Sequence, residues 1–288
     1  MNNEALQIIE CPRDAMQGIH EFIPTDIKIN YLNKLLKVGF HTLDAGSFVS
    51  PKAIPQLRDT AEVFDHLELE GTASQLLAIV ANQRGVADAV QFKQIDLLGY
   101  PLSLSETFQQ RNTNRSISTA MEDLAAIQEV CLQKDKTLVV YLSMGFGNPY
   151  GDPYDAAYLE EFTEKLAKMD VKIISLADTI GVSNEENIQL AFETLIPKYK
   201  DITFGAHLHS APQDIDKKVK AAYRAGCRRF DGAIKGYGGC PMAEDKLVGN
   251  MATESMIRSF EELGAELSID RESFDEAMQY SSQVFNRV

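Results

Sequence analysis

The stretch KIISLADTIGVSNEENIQLAFETLIPKYKDITFGAHLHS, residues 172–210, holds one complete strand–helix–strand unit. It opens on an apolar run, Lys172–Leu176, passes through a helix-length amphipathic segment, Ser183–Tyr199, and closes on a second run, Ile202–Ala206. Ser183 and Glu186 stand in capping-box spacing at the head of the helix. Neither run alternates polar and apolar residues. Near-continuous apolar strands are buried on both faces, as in a parallel sheet covered by helices. Both runs end on polar side chains, Asp178 after the first and His207 and His209 after the second.

The same unit recurs in both directions along the chain. Further runs lie at Leu6–Ile9, Thr42–Ala45, Leu76–Val80, Ile95–Leu98, Leu138–Leu142 and Arg229–Ile234, which brings the strands to eight. Helical patterns stand between them: one from Pro24-Thr25-Asp26 to Gly39, and others at Ser116–Lys134, Asp155–Asp170 and Asp214–Gly226. Thr253–Gly264 follows the eighth strand, and Asp270–Asn286 reads as an added C-terminal helix. Eight units in 288 residues average 36 each, close to what a closed (β/α)₈ barrel needs. An open doubly wound sheet is the alternative, but CPRDAMQG stands after the first strand where that fold carries a glycine fingerprint. No linker-like break in composition appears. The expectation is α/β architecture: one (β/α)₈ TIM barrel over residues 1–288, with the extra C-terminal helix.

Composition narrows the partners. The chain carries 42 acidic against 28 basic residues, a net charge of −14, which disfavours nucleic acid and anionic membranes. An anionic small substrate is compatible with it if a few Arg or Lys residues are placed locally. The four cysteines, at positions 11, 131, 227 and 240, show no C-x-x-C spacing, so neither a disulfide framework nor a structural zinc site is indicated. The first residues lack the basic and apolar regions of a secretory signal, and no stretch approaches ~18 consecutive apolar residues. These features predict a reduced, cytoplasmic protein.

Chemistry in such barrels gathers at the carboxyl ends of the strands. Here those positions hold Arg13 and Asp14, Asp44, Asn82, Tyr141 and Ser143, Asp178, and His207 with His209. The eighth strand leads into GYGGCPMAEDKLVGN, a glycine-rich loop over about 236–250 that contains Cys240 and Asn250. Residues two apart on a strand share a face, so His207 and His209 enter the mouth together. Two adjacent surface histidines would be the plain reading. With Asp14 supplied from the neighbouring first strand, a divalent metal becomes the stronger one. Such a donor set suits Mg²⁺, Mn²⁺, Co²⁺ or Zn²⁺, and spacing alone also admits non-haem Fe(II). Cys11, Cys131 and Cys227 read as small buried hydrophobes. Cys240, in its glycine loop, reads as a reactive group on a lid. Asp44, Asp178 and Arg13 also fit structural ion pairs, and Arg111 and Arg115 are expected in solvent.

These residues resemble the 3-hydroxy-3-methylglutaryl-CoA lyases, members of the metal-dependent lyase and synthase barrels. The resemblance rests on ECPRDAMQG, GSFVSPKAIPQ, SLADTIGVS, AHLHS and GYGGCPMA…GNMATES. It runs from about Ile8 to about Phe260 and is weakest over 65–135. It implies that Asp14, His207, His209 and Asn250 ligate a divalent metal, Mg²⁺ or Mn²⁺ by preference. It also implies that Arg13 stabilises a developing enolate, that Cys240 is the catalytic cysteine, and that Asp178 contacts substrate or takes part in acid–base work. Asp44 stands at a substrate-contacting position where the family usually has Glu. Ser210 replaces the usual Asp after H-x-H, and Asn148 stands where the lyases commonly place a second cysteine. The implied reaction splits an acyl-CoA substrate into acetoacetate and acetyl-CoA. His207 or Asp178 would act as base, and Cys240 would protonate the enolate. A homodimer is the expected assembly. A Claisen-type synthase and a non-catalytic metal- or acyl-CoA-binding barrel are the competing readings.

Overall fold

A computed structural model describes residues 5–238 and 248–285. Eight parallel strands follow one another around a closed barrel: β1 (Gln7–Glu10), β2 (Thr42–Ser47), β3 (Gln75–Ile79), β4 (Ile95–Ser103), β5 (Thr137–Ser143), β6 (Ile173–Asp178), β7 (Thr203–Ser210) and β8 (Arg229–Gly232). Each pairs with the next, and β8 returns to β1 with Ile9 opposite Asp231. A short ninth strand, β9 (Gly249–Asn250), runs antiparallel to β7 and sets Asn250 opposite His209.

Two apolar layers hold the barrel. The larger lies between strands and helices, where outward strand residues such as Ile8, Leu43, Leu98, Val140, Ile174 and Phe230 meet the helices. The smaller fills one side of the interior with Leu77, Ile79, Leu97, Val139 and Tyr141 from β3, β4 and β5. The opposite side is polar. Arg229 is fully buried there, and its Nη1 donates to Gln7 Oε1 at 3.3 Å. The interior is therefore split into a dry half and a polar half, and the polar half lies under the histidine pair.

The helix over Thr25–Val38 stops at Gly39, whose φ of 84° is left-handed and costs glycine nothing. The added C-terminal helix, Arg271–Phe285, packs on this helix through Tyr31, which stacks on Tyr280 at 6.4 Å and meets Phe285 edge-on at 5.9 Å. Three details depart from the sequence reading. The capping box on the helix over Glu185–Lys198 is made by Asn184 and Asn187, because the Ser183 hydroxyl is already donating to Asp178. Arg115 pairs with Asp123 instead of standing in solvent, and Arg111 lies over the Tyr150 ring at 4.8 Å. Several strands also run on past their apolar runs into the polar mouth, β7 through Ser210 and β4 through Ser103.

Candidate active site

Pro12 starts a one-and-a-half-turn helix, Pro12–Gln17, directly after β1, and it turns Arg13 and Asp14 inward over the barrel. Arg13 is clamped. Its Nε lies 3.0 and 3.1 Å from the two Asp44 oxygens, and its Nη1 donates to Asp14 Oδ1 and Gln17 Oε1, both at 3.0 Å. Burial works against the guanidinium, but Asp44 and Asp14 outweigh it and hold its pKa above the usual arginine range. Burial also lifts Asp44, to about 6, against the pull of Arg13. Asp44 was expected to touch substrate. It is 1% exposed with both oxygens on Arg13, so it aims the guanidinium and does not face an open pocket.

Asp14 lies at the centre. Its Oδ1 accepts from Arg13 and from Gln17 Nε2 at 2.8 Å, and its Oδ2 accepts from Asn250 Nδ2 at 2.7 Å. Burial opposes its charge, but Arg13, His207 and His209 together hold its pKa below the ordinary carboxylate value. Asn250 spends its amide protons on Asp14 and on the Tyr237 carbonyl at 2.9 Å, which leaves its Oδ1 free of these bonds. A side chain at Gly238 would strike this cradle, since a Cβ there would lie 2.8 Å from Asn250 Nδ2.

The two imidazoles lie 5.5 Å apart between ring centroids. His207 Nδ1 is 3.0 Å from Asp231 Oδ2, and His209 Nδ1 is 3.0 Å from the Thr179 carbonyl. Both partners can only accept, so each Nδ1 carries the ring proton and each Nε2 keeps a lone pair. His209 Nε2 is buried with no hydrogen-bond partner among the described residues. Burial presses the His207 imidazolium down, but the bond to Asp231 and its charge outweigh that and raise the pKa. His209, backed by a neutral carbonyl and crowded by His207, is lowered, with burial as the main cause.

Asp14, His207 and His209 each present a ligand atom within 4.8 Å of the others. An anionic oxygen and two imidazole Nε2 lone pairs form a cation-binding set, so these residues fit a divalent metal. His207 cannot also serve as the expected base while ligated, because both tasks draw on the single Nε2 lone pair. Asp178 differs from expectation too. Its oxygens accept from Val182 N, Ser183 N, Ser183 Oγ and Lys218 Nζ, at 2.5–3.1 Å. Lys218 donates in turn to the His209 carbonyl at 2.8 Å. Asp178 thus ties the loop after β6 to the end of β7, with three of its four bonds on Oδ2.

Of the other residues singled out, Asn82 caps the helix over Gln83–Ala89, and Tyr141 meets the His207 ring edge-on at 5.4 Å. Asn148 closes the turn to Asp152, and Ser210 donates to Ala211 O. Cys240 and most of the glycine-rich loop lie outside the described residues. Sequence reasoning missed Gln17 and Asp231. Gln17 stands three and four residues after Asp14 and Arg13 on one helix, a spacing that puts all three side by side. Asp231 was visible as a carboxylate inside an otherwise buried strand, which demands a partner. Beside the mouth, Ser50, Arg58, Asn82 and Arg84 line a cleft at the ends of β2 and β3.

Residues 5–280 match the HMGL-like family model. The chain belongs to the HMGL-like family. It is 29% identical to hydroxymethylglutaryl-CoA lyase YngG of Bacillus subtilis over 93% of this chain and 89% of that protein. It is also 29% identical to the mitochondrial hydroxymethylglutaryl-CoA lyase of Macaca fascicularis, over 98% and 86%. Among solved structures, an HMG-CoA lyase from Acinetobacter baumannii, in complex with coenzyme A and 3-methylmalate, superposes with a TM-score of 0.90 at 30% identity, covering 98% of this chain and 92% of that one. Among the described residues of this family member, no helix is long and apolar enough to cross a membrane.

Proposed function

We propose that the chain is a carbon–carbon lyase that cleaves 3-hydroxy-3-methylglutaryl-CoA into acetoacetate and acetyl-CoA, using Mg²⁺ or Mn²⁺. The observation that carries this reading is the convergence of ligand atoms from Asp14, His207 and His209 within 4.8 Å of one another, beside a clamped Arg13. It occurs in a chain that aligns nearly end to end with proteins named as lyases of this substrate. Asp14, His207, His209 and Asn250 would hold the cation. A bound cation would supply Lewis acidity, easing loss of the substrate alcohol's proton to solvent as the carbon–carbon bond opens. Arg13, aimed by Asp44 and Gln17, faces the charge that develops on the thioester oxygen as that bond opens. Cys240 donates the proton that converts the enolate carbon to a methyl group. His207 is assigned the ligand role alone. Asp178 positions β7 through Lys218 and Ser183. The guanidinium groups of Arg58 and Arg84 in the neighbouring cleft suit a phosphate-bearing ester in an otherwise acidic chain. We further propose one catalytic barrel over residues 1–288 with 236–250 as its catalytic loop. We also propose a reducing cytoplasmic setting, in keeping with three free buried thiols, and a homodimer, which sedimentation would check.

The test is a turnover panel with added Mg²⁺ or Mn²⁺. Acetoacetate and acetyl-CoA should appear from 3-hydroxy-3-methylglutaryl-CoA, with negligible condensation of acetyl-CoA with 2-oxo acids. Release of free CoA from acetyl-CoA plus a 2-oxo acid, with the hydroxyacyl ester left intact, would establish the synthase reading instead. No turnover in either direction would leave the binding-barrel reading.

A further inference from the structure

We propose that the barrel contains a second cation site, one layer deeper, for a thiophilic divalent ion such as Zn²⁺ or Cd²⁺. It is formed by Cys11, His207 and Asp231, and filling it disables the site above. Each of the three residues offers a ligand atom within 4.8 Å of the other two, and His207 is shared with the Asp14–His207–His209 group. The strand register separates the levels. Gly205 and Ala206 pair with Arg229 and Phe230, so His207 continues level with Asp231 while His209 stands two residues nearer the mouth.

The donors are poorly satisfied as they stand. Asp231 is 3% exposed, and its Oδ1 is buried with no hydrogen-bond partner among the described residues. The Cys11 thiol, 1% exposed, makes a long contact of 3.9 Å to the Ile9 carbonyl. An unpaired carboxylate oxygen in a protein interior is costly unless a positive or donating group meets it. Thiolate sulfur, imidazole nitrogen and carboxylate oxygen form a set that suits Zn²⁺ and its softer relatives and is wrong for Mg²⁺.

The consequence follows from the imidazole. Its Nδ1 faces Asp231 at 3.0 Å, so an ion bound in the deeper site takes the Nδ1 lone pair. A neutral imidazole then carries its one proton on Nε2, which becomes a donor and ceases to be a ligand for the upper cation. The Cys11 thiol gives up its proton to solvent, about one proton per ion bound. The two sites therefore exclude one another through a single tautomer, and the antagonism is reciprocal. This inference rests on the proposed function only in taking the upper site to hold a hard cation.

Cadmium and manganese are the probes. Full-length protein is titrated with Cd²⁺ while the ultraviolet sulfur-to-cadmium charge-transfer band is recorded, and Mn²⁺ binding is followed by electron paramagnetic resonance with and without Cd²⁺. The wild type should show a band that saturates at one Cd²⁺ per chain, and Cd²⁺ should weaken Mn²⁺ binding about tenfold or more. Cys11→Ser should lose the band and the antagonism while keeping Mn²⁺ affinity, and Cys11→Ala should behave alike, which guards against a folding defect in either variant. Cys240→Ser should keep the band. A band that survives in both Cys11 variants, a band lost in Cys240→Ser, or Cd²⁺ and Mn²⁺ bound together without mutual weakening would overturn the proposal. Failure of the wild type to bind Mn²⁺ would count against the proposed function, and the cadmium band would still decide the deeper site.

Discussion

Replacing Glu10 by glutamine isolates the contribution of one buried carboxyl group to the stability of the barrel. Glu10 is the last residue of β1, fully buried, accepting from Ile234 N at 2.8 Å and Thr253 Oγ1 at 2.6 Å. Burial raises its pKa from 4.5 to about 8, against the help of those two bonds. The folded state therefore holds a proton that the unfolded chain releases between those two values. Stability from this group is fully present below pH 4.5, falls as pH rises through the window, and is flat above about 8. At about 1.4 kcal/mol per pH unit, the loss by pH 7 is on the order of 3 kcal/mol. Glutamine keeps the geometry: its carbonyl accepts from Ile234 N, and the Thr253 hydroxyl, which donates to the carboxylate, turns to accept from the amide as it would from a protonated acid. Urea unfolding at pH 5, 7 and 9 measures the difference. The variant should match the wild type near pH 5 and exceed it by up to about 3 kcal/mol at pH 7, with the urea slope unchanged. Parallel stability profiles across that range would refute the assignment of a neutral Glu10.

Three further outcomes test the upper site. His209→Ala removes a lone pair with no partner among the described residues and should abolish high-affinity Mn²⁺ binding in calorimetry; undiminished binding would remove His209 from the ligand set. Asp231→Asn keeps an acceptor for His207 Nδ1 but removes the charge behind it, so Mn²⁺ affinity should drop about 10- to 100-fold while the melting temperature of the cation-free protein holds. Arg13→Lys retains a positive charge but loses the fork gripped by Asp44. In steady-state kinetics kcat should fall on the order of 10²-fold with KM changed less, and a raised KM with kcat unchanged would reduce Arg13 to a binding group.

Much of the fold is legible because strands buried on both faces cannot alternate, so runs such as Lys172–Leu176 announce themselves. Legibility fails at the carboxyl ends of those strands. β7 extends through His207-Leu208-His209-Ser210 and β4 through Pro101-Leu102-Ser103, where hydrogen bonding continues and Leu102 and Leu208 stay in the core, but polar residues between them break the continuous apolar run. The short helices Thr60–Asp65, Gln83–Ala89 and Glu106–Thr113 are too brief for a periodicity of 3.6 to show. The site divides in the same way. His207 and His209 stand out because a period of two puts them on one face. Asp231 and Gln17 do not, because their roles depend on which strand or helix turn lies opposite. Asp44 and Asp178 read from sequence as substrate-facing or acid–base groups, and the structure shows both engaged by neighbouring donors. Sequence shows that a carboxylate is present, and only the surrounding donors show whether its lone pairs are free.

That distinction organises the chemistry of the barrel. The chain carries a large acidic excess, yet each carboxylate at the mouth is tied to a particular donor set. Asp44 is held by Arg13, Asp178 by Lys218 and Ser183, Asp14 by Arg13, Gln17 and Asn250, and Asp231 by His207. Buried charges persist when paired and hydrogen-bonded, so this pattern keeps several anions in a dry interior without mutual repulsion spreading them apart. It also directs the imidazole lone pairs. Because Asp231 and the Thr179 carbonyl both claim an Nδ1 proton, both Nε2 atoms are left as acceptors, and that of His209 is buried with no hydrogen-bond partner among the described residues. The unfilled need for positive charge is thereby concentrated at one place, beside Arg13 and Asp14. A cation and an anionic transition state can meet there inside a protein whose overall field repels anions.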